Sequence, residues 1–510
     1  MGFSVVVGSF GTNRIAGLTR VKTRTLAMAA LALLAAGCSG TLPVDRQVFL
    51  PDPPRQAEAL PAVQREHLRI LAAYGGAYED ARLERAINQT VEKLVAASER
   101  PDQRYKITIL NSPAVNAFAL PTGQLYVTRG LIALANDNSE LASVLSHEMA
   151  HVVARHASIR EEQARQAAIV NRVATDVLSD PQMGALALAK SKIALQSFSQ
   201  AQEFEADGIG VGISSRAGFD PYGAMRFLTS MGRNAELRNG SATGRNGASN
   251  NATDRIDPRT LDFLRSHPAT DDRVRNAQLN ARQFTAPGPG EKEKSIYLEA
   301  VDGLVYGEDP SEGFVRGRRF LHPKLGFTFI APEGFILDNT AQAVFGVKDG
   351  GVEALRLDVV QVPAEQKLAE YLVSGWIENI DEGSIDNITI NGFPAATATA
   401  KGDQWSFRLY AVRFGSEVYR FIFAAKNRTA EVDRTFRDAL GSFRRMTLAE
   451  MQHAKPLRIK VVRIGAQDTV EKLADRMAVG DRPAERFRVL NGLEPKEKVK
   501  PGDLVKIVVE

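Results

Sequence analysis

The stretch at 139–156 reads SELASVLSHEMAHVVARH, and it constrains the fold of this chain more than any other stretch. Its apolar residues recur at helical spacing. Asn138 or Ser139 offers an oxygen that can cap a helix N-terminus. Glu140 falls in the first turn, where the helix dipole favours an acid. The stretch therefore predicts a helix.

Within this predicted helix, His147, Glu148 and His151 form the pattern HExxH. Because residues four positions apart share one face of a helix, both imidazoles can reach one tetrahedral metal ion. Glu148 lies beside them and can take a proton from a water molecule that the metal activates. The alternative is a helix with two incidental histidines, but only seven histidines in 510 residues make that coincidence uncommon.

HExxH proteins differ in which residue completes the metal site. One class of HExxH proteins continues as HExxHxxGxxH, and here Ala154 and Ala157 stand at its glycine and third-histidine positions. His156 lies about half a turn out of phase with His147 on a continuous helix, which favours a surface or packing role. A third ligand from this helix is therefore not expected.

The other class takes a glutamate from a later helix, and the stretch 199–214 has helical spacing and suitable acids. Glu203 and Asp207 are four residues apart and share a face, whereas Glu205 points elsewhere. Glu203 can bind a metal, and Asp207 can accept a hydrogen bond from a ligand histidine. Acid pairs at this spacing are common on solvated helices, so only the combination with HExxH makes this pair specific.

The motifs HExxH, ExxAD and HPxTxxR, preceded by NAFALPTG, resemble those of the gluzincin peptidases in the CAAX prenyl protease family. That family includes the HtpX-like, OMA-type and BepA-like proteases, and the resemblance covers residues 60–285. The resemblance implies one zinc ion per chain and Glu148 as the general base. It also implies that Asp207 does not bind the metal itself but supports one of its ligands. The zinc ligands that it implies are His147, His151 and Glu203.

The resemblance leaves two residues with open roles. In BepA-like members, the histidine that matches His267 can approach the metal and hold the site latent. A helix-capping or packing residue is the alternative reading of His267. Hydrolysis also needs a donor for the tetrahedral oxyanion. His267 and Arg273 are both candidates, and the sequence does not choose between them.

A predicted strand pair precedes the metal helix. Strands are predicted at Tyr105–Leu110 and Gln124–Thr128 because both segments are rich in β-branched and aromatic residues. Between them, Asn116, Ala117 and Phe118 are expected to supply an exposed edge strand. An extended peptide can add itself to such an edge, which would place a scissile bond above the metal.

The first forty residues have the character of an export signal. Four basic residues and no acids precede an apolar run at 26–36, and Gly37 and Cys38 follow it. This arrangement resembles a bacterial lipobox, which implies that Cys38 is lipidated; an ordinary signal peptide is the alternative. Ser39 after the cysteine points, in that resemblance, to the outer membrane. Removing residues 1–37 leaves 60 basic and 60 acidic residues, so no nucleic-acid partner is expected.

Changes of pattern along the chain predict a multidomain protein. The segments are a signal peptide at 1–37, a tether at 38–60, a mainly α zincin-like metalloprotease domain with a small β-sheet at 61–316, an α+β domain at 317–447 and a β-α-α-β module at 456–510. The α+β domain is similar in pattern to PsbP-type domains, and its helices are predicted at Gln366–Ile380 and Thr429–Phe443. The tail resembles a LysM module, which implies peptidoglycan binding; a folding unit without glycan affinity is the alternative. Asn239–Thr253 is expected to be a loop.

Together these patterns predict a zinc metalloendopeptidase of the bacterial cell envelope, lipid-anchored in the periplasm. Its expected substrates are unfolded or misassembled envelope proteins, as in protein quality control. The chain shows neither the spanning helices of the prenyl and HtpX-like proteases nor the tetratricopeptide repeats of BepA-like members. Two alternatives remain open: a latent or chaperone-like envelope protein, and a peptidoglycan-binding scaffold with little protease activity.

Overall fold

The computed structural model describes residues 61–160, 162, 198–243, 267, 270–284, 291–340, 343–348, 351–375, 377, 379–402, 404–479 and 482–510. The predicted signal peptide and tether, with Cys38, lie outside these residues, as does 244–253 of the predicted loop. Within the described ranges, no helix combines the length and the apolar character that a membrane crossing requires.

The N-terminal region is mainly helical. Its helices are α1 (Ala62–Ala73), α2 (Ala81–Ala97), α3 (Arg129–Leu134), α4 (Asn138–Val153), α5 (Gln200–Arg216), α6 (Gly223–Thr243), α7 (Asp271–Ala281) and α8 (Glu291–Val301). Because α6 runs to Thr243, the loop predicted from Asn239 is wrong over its first residues. The small predicted sheet is present, with β1 (Lys106–Leu110), β2 (Ala117–Ala119) and β3 (Gln124–Thr128) in the order β1-β3-β2.

Helix α4 carries the HExxH motif, as predicted, and it runs through the core. Every residue from Ser139 to His151 is buried. Neither Asn138 nor Ser139 is the cap, because Asp137 caps the helix and accepts the Glu140 N–H at 2.8 Å. Asn138 is thus already the first residue of the helix.

The region after α8 is rich in β-structure. Its strands are β4 (Val305–Tyr306), β5 (Phe314–Arg316), β6 (Arg319–His322), β7 (Phe327–Ile330), β8 (Phe335–Asn339), β9 (Ala343–Lys348), β10 (Glu353–Val360), β11 (Ile380–Ile390), β12 (Phe393–Lys401), β13 (Ser406–Phe414), β14 (Glu417–Ala425) and β15 (Arg444–Arg445). Seven of them form an antiparallel sheet in the order β11-β12-β13-β14-β10-β9-β8, and β15-β7-β6-β5 form another. The helices here are α9 (Leu368–Leu372), α10 (Ala430–Gly441) and α11 (Leu448–His453).

One helix prediction in this region is wrong in extent. The helix expected over Gln366–Ile380 ends at Leu372. Beyond it, Gly375 and Asn379 have φ angles of 91° and 57°, which a right-handed helix cannot contain. Strand β11 then begins at Ile380.

The tail has the predicted β-α-α-β order, formed by β16 (Leu457–Arg463), α12 (Val470–Ala474), α13 (Pro483–Leu490) and β17 (Leu504–Val509). Strand β16 pairs with β17 on one side and with β4 on the other, so the tail extends a sheet begun earlier in the chain. One hydrophobic cluster contains Leu145 of the metal helix together with Ile459 and Phe487 of the tail. The tail and the metal helix therefore share a core.

Candidate metal centre

Four buried side chains bring one donor atom each to a single point: those of His147, His151, Glu203 and His267. His147 Nε2 lies 3.1 Å from His151 Nε2 and 3.3 Å from His267 Nδ1. Glu203 Oε1 lies 2.8 Å from His267 Nδ1 and 3.6 Å from His151 Nε2. Tetrahedral zinc with bonds of about 2.0 Å separates its ligand atoms by roughly 3.3 Å, so this donor set fits one ion.

Close packing of α4 against α5 sets the spacing between the histidines and Glu203. Gly210 of α5 lies against the backbone of His147, where an added Cβ would be 3.0 Å from His147 N and 3.1 Å from its Cα. Contacts that short are tighter than side chains normally make, so a larger residue would force the two helices apart. The glycine thus allows Glu203, two turns away, to reach the histidines.

Two charged side chains, Asp207 and Arg273, hold the candidate ligands in place. Asp207 Oδ1 lies 3.0 Å from His147 Nδ1, on the side of the ring away from the other donors. Arg273 contacts Asp207 through Nε at 2.9 Å and Nη2 at 2.6 Å, and its Nη1 lies 2.8 Å from Glu203 Oε2. Burial alone would lower the pKa of His147, but the hydrogen bonds with Asp207 and Glu203 outweigh it and raise that pKa to about 9.

Glu148 lies next to the donor cluster and to strand β2. The N–H of Ala119 in β2 donates to its carboxylate. Its Oε1 is buried, has no hydrogen-bond partner among the described residues and lies 3.6 Å from His267 Nε2. Burial raises the pKa of Glu148 to about 8. A buried carboxylate oxygen without a partner is costly, and a water molecule or cation beside it would remove that cost.

Two of the three residues predicted for the edge strand lie in a strand. Ala117 and Phe118 lie in β2, which forms an edge of the three-stranded sheet. Asn116 precedes the strand, because its N–H donates to Thr128 Oγ1 at 3.0 Å and its side-chain amide donates to Tyr74 Oη at 3.0 Å. Asn116 is therefore a buried anchor in front of the strand, and because Ala117 is buried as well, the prediction of an exposed edge is wrong at that residue.

Sequence reasoning missed two neighbours of His151. Helix α4 ends at Val153, Arg155 takes a left-handed φ of 57°, and the chain returns so that His156 Nδ1 lies 2.8 Å from His151 Nδ1. The ring of Phe198 stacks on His151 with 4.0 Å between centroids. A phase argument on a continuous helix could not place His156, because the helix is not continuous, and no signal in the sequence singled out Phe198.

Residues 81–281 match the family described as Peptidase family M48. This segment is an M48 peptidase domain. M48 metalloproteases depend on zinc, and the buried donor set of the M48 domain can hold one such ion.

The similar proteins described next are proteases by name. The chain is 28% identical over 285 residues to the beta-barrel assembly-enhancing protease of Yersinia pestis, covering 53% of this chain and 54% of that protein. It is 29% identical over 227 residues to the Escherichia coli (strain K12) protein of the same name, covering 43% of each. It is 29% identical over 193 residues to mitochondrial metalloendopeptidase OMA1 of Schizosaccharomyces pombe, covering 38% of this chain and 51% of that one. The matches therefore span about half the length of these relatives, or less.

Among solved structures, the chain is similar to cyanobacterial PsbP from Synechocystis sp. PCC 6803. The sequence identity is 15%, the TM-score is 0.21, and the match covers 27% of this chain and 98% of that one. A TM-score of this size is too low to support a conclusion about fold or function.

Proposed function

We propose that the M48 domain is a zinc metalloendopeptidase whose metal ligands are His147, His151 and Glu203. The observation that carries this proposal is the buried donor cluster with the unpartnered Glu148 oxygen beside it. With His147, His151 and Glu203 as ligands, the corner that His267 occupies here is the fourth position, which a catalytic zinc site keeps for water or substrate. The relatives named above are proteases, which favours this function over a non-enzymatic one.

Zinc in this site would polarise a peptide carbonyl and make a nearby water more acidic. Glu148 is placed to accept the proton of the attacking water through its free Oε1 and to deliver it to the leaving amine. Asp207 fixes the tautomer of His147 by accepting its Nδ1 proton. Arg273 neutralises Asp207 and Glu203, so the two buried carboxylates can lie close together.

Strand β2 supplies the substrate-binding edge in this proposal. Antiparallel pairs alternate between residues that exchange hydrogen bonds and residues that do not. Thr128 bonds to Asn116 and Leu120 bonds to Gln124, so the alternation turns the N–H groups of Ala117 and Ala119 away from β3. The Ala119 N–H meets Glu148, and the Ala117 N–H is left to pair with an extended peptide.

The two candidate oxyanion donors receive different roles. All three nitrogen positions of the Arg273 guanidinium face Asp207 or Glu203, so we assign Arg273 to positioning. His267 Nδ1 occupies the fourth corner of the donor set, where a reacting group would have to bind. The described state is therefore a latent one, and His267 must leave that corner before hydrolysis. Once displaced, it is the candidate donor to the oxyanion.

The biological setting of the proposal comes from the printed names of the relatives and from the N-terminal sequence. Beta-barrel assembly-enhancing proteases suggest misassembled envelope proteins as substrates, and Cys38 suggests a lipid anchor in the periplasm, at the outer membrane. A chaperone-like protein without hydrolysis is less favoured, because Glu148 beside the donor cluster would then have no chemical role. Peptidoglycan binding by the tail stays a prediction, tested by pelleting the full chain with purified peptidoglycan.

The proposal is tested with Glu148→Gln and, as a matched control, Glu92→Gln on the exposed side of α2. Cleavage of an unfolded outer-membrane β-barrel protein is followed by gel, and zinc is measured in each variant. We expect Glu148→Gln to keep its zinc and lose at least roughly 100-fold in rate, as expected for removal of a general base. Glu92→Gln should match the parent. Equal cleavage by Glu148→Gln and the parent would refute the mechanism.

A further inference from the structure

The hydrogen bonds behind the two ligand histidines differ, and this difference carries a further inference that rests on the proposed zinc site. A neutral imidazole that binds a metal through Nε2 keeps its proton on Nδ1, so Nδ1 needs an acceptor. For His147 that acceptor is Asp207, at 3.0 Å. For His151, the atom within reach is not a carboxylate but Nδ1 of His156, at 2.8 Å.

The number of protons that the two imidazoles can share decides which of them donates the hydrogen bond. Two Nδ1 atoms 2.8 Å apart can share only one proton. If His151 donates it, His156 must accept through Nδ1 and carry its own proton on Nε2. That Nε2 lies 3.3 Å from Glu205 Oε2, which can accept it. His151, His156 and Glu205 therefore form a hydrogen-bond chain with one consistent direction.

The surroundings strengthen the inner bond more than the outer one. His156 is 1% exposed, and Phe198 stacks on His151 with 4.0 Å between ring centroids. Arg160 lies over Phe198 with its guanidinium 4.4 Å from the ring centroid. A hydrogen bond screened from water in this way is stronger than an exposed one. The Glu205 side chain is 58% exposed, so water can replace it as the acceptor from His156.

We propose that His156 is a positioning residue for the metal ligand His151, in the place that Asp207 takes behind His147. The break after Val153 is what makes this possible, because the left-handed Arg155 turns the chain back toward the helix it has just left. Without an acceptor at Nδ1, the His151 ring loses its fixed orientation and tautomer. Removing such a partner typically lowers metal affinity roughly 10- to 100-fold.

The test compares His156→Asn with His156→Leu, two side chains of the same shape, in the full chain. Only asparagine offers an oxygen near the position of Nδ1. Zinc affinity is measured by competition with a fluorescent chelator, and the ligand field by the visible absorption of the Co²⁺-substituted protein. His156→Leu should bind zinc roughly 10- to 100-fold more weakly with altered cobalt bands, and His156→Asn should recover most of the affinity. His453→Leu, at an exposed histidine of α11, should match the parent.

The outcomes separate this inference from the proposed function. A parent chain that binds no zinc would contradict the proposed function itself. A parent that binds zinc, with His156→Leu binding equally well, would overturn only the role of His156. Equal weakening in the leucine and asparagine variants would also overturn it, because the role would then be packing. Thermal unfolding of each variant shows that the compared chains are folded.

Discussion

Lys506 ties the tail to the metal-bearing region, and its replacement tests whether the two fold as one unit. The residue lies on β17, is 0% exposed, and its Nζ donates to the carbonyls of Ala133, Leu134 and Ala135 at 2.7, 3.3 and 2.6 Å. These carbonyls belong to the last turn and the C-cap of helix α3, two residues before Asp137, the cap of α4. The ammonium therefore satisfies carbonyls at a helix C-terminus, where Asn136 Nδ2 also donates to Leu134 O at 3.2 Å.

The magnitude for Lys506→Met follows from two opposing effects. Burial lowers the pKa of Lys506, which reflects the cost of desolvating the ammonium, and methionine removes that cost. Against this, losing the two short bonds leaves the buried carbonyls of Ala133 and Ala135 unsatisfied, which costs about 1–3 kcal/mol each. Losing one partner of a buried charged contact generally destabilises, so we expect a loss of about 3 kcal/mol in the free energy of unfolding.

The assay is urea unfolding combined with hydrogen exchange of peptides from residues 133–153 and 457–509. Lys498→Met is the matched control, because it makes the same change at an exposed position of the tail. It should stay within about 0.5 kcal/mol of the parent. In Lys506→Met, exchange should accelerate in both segments together. Stability equal to that of Lys498→Met, or faster exchange in the tail alone, would refute the coupling.

Three further predictions follow from the structure. His267→Ala should bind a zinc-directed hydroxamate inhibitor roughly tenfold or more tightly with zinc retained, since it frees the fourth corner of the donor set; unchanged inhibitor affinity contradicts the latent state. Ala117→Pro should lower kcat/KM roughly tenfold without loss of zinc, because it deletes an outward N–H of β2; full activity would exclude this edge as the substrate site. Burial lowers the pKa of His322 from 6.5 to about 4. The free energy of unfolding should therefore fall by up to about 3 kcal/mol as the pH falls from 6.5 to 4. The unfolded chain takes up a proton there that the folded one cannot, and His322→Gln should lose this pH dependence in thermal unfolding, whereas His453→Gln should keep it.

The metal-site geometry was largely predictable because it depends on helical periodicity. Residues four apart on one helix must share a face, so His147 with His151, and Glu203 with Asp207, follow from spacing alone. The meeting of the two helices is not encoded in either pattern. It depends on the close approach at Gly210, and a glycine in a helix has no distinctive sequence signal.

The features that sequence reasoning missed depend on breaks in regularity and on long-range contacts. His156 was placed out of phase because a continuous helix was assumed, and the left-handed Arg155 invalidates that assumption. The docking of Lys506 on α3 joins residues more than 370 positions apart, beyond any local pattern. In the region after α8, the helix predicted over Gln366–Ile380 stops at Leu372, and Gly375 and Asn379 redirect the chain beyond it.

The most direct test of the central claim is elemental analysis of the purified chain, with Glu203→Ala beside it. Glu203 is the one ligand that the HExxH motif does not supply, so it tests the assembled site and not the motif. We predict about one zinc per parent chain and loss of that zinc in Glu203→Ala. A parent without zinc, or a variant that retains it in full, would contradict the three-ligand site and with it the proposed hydrolysis.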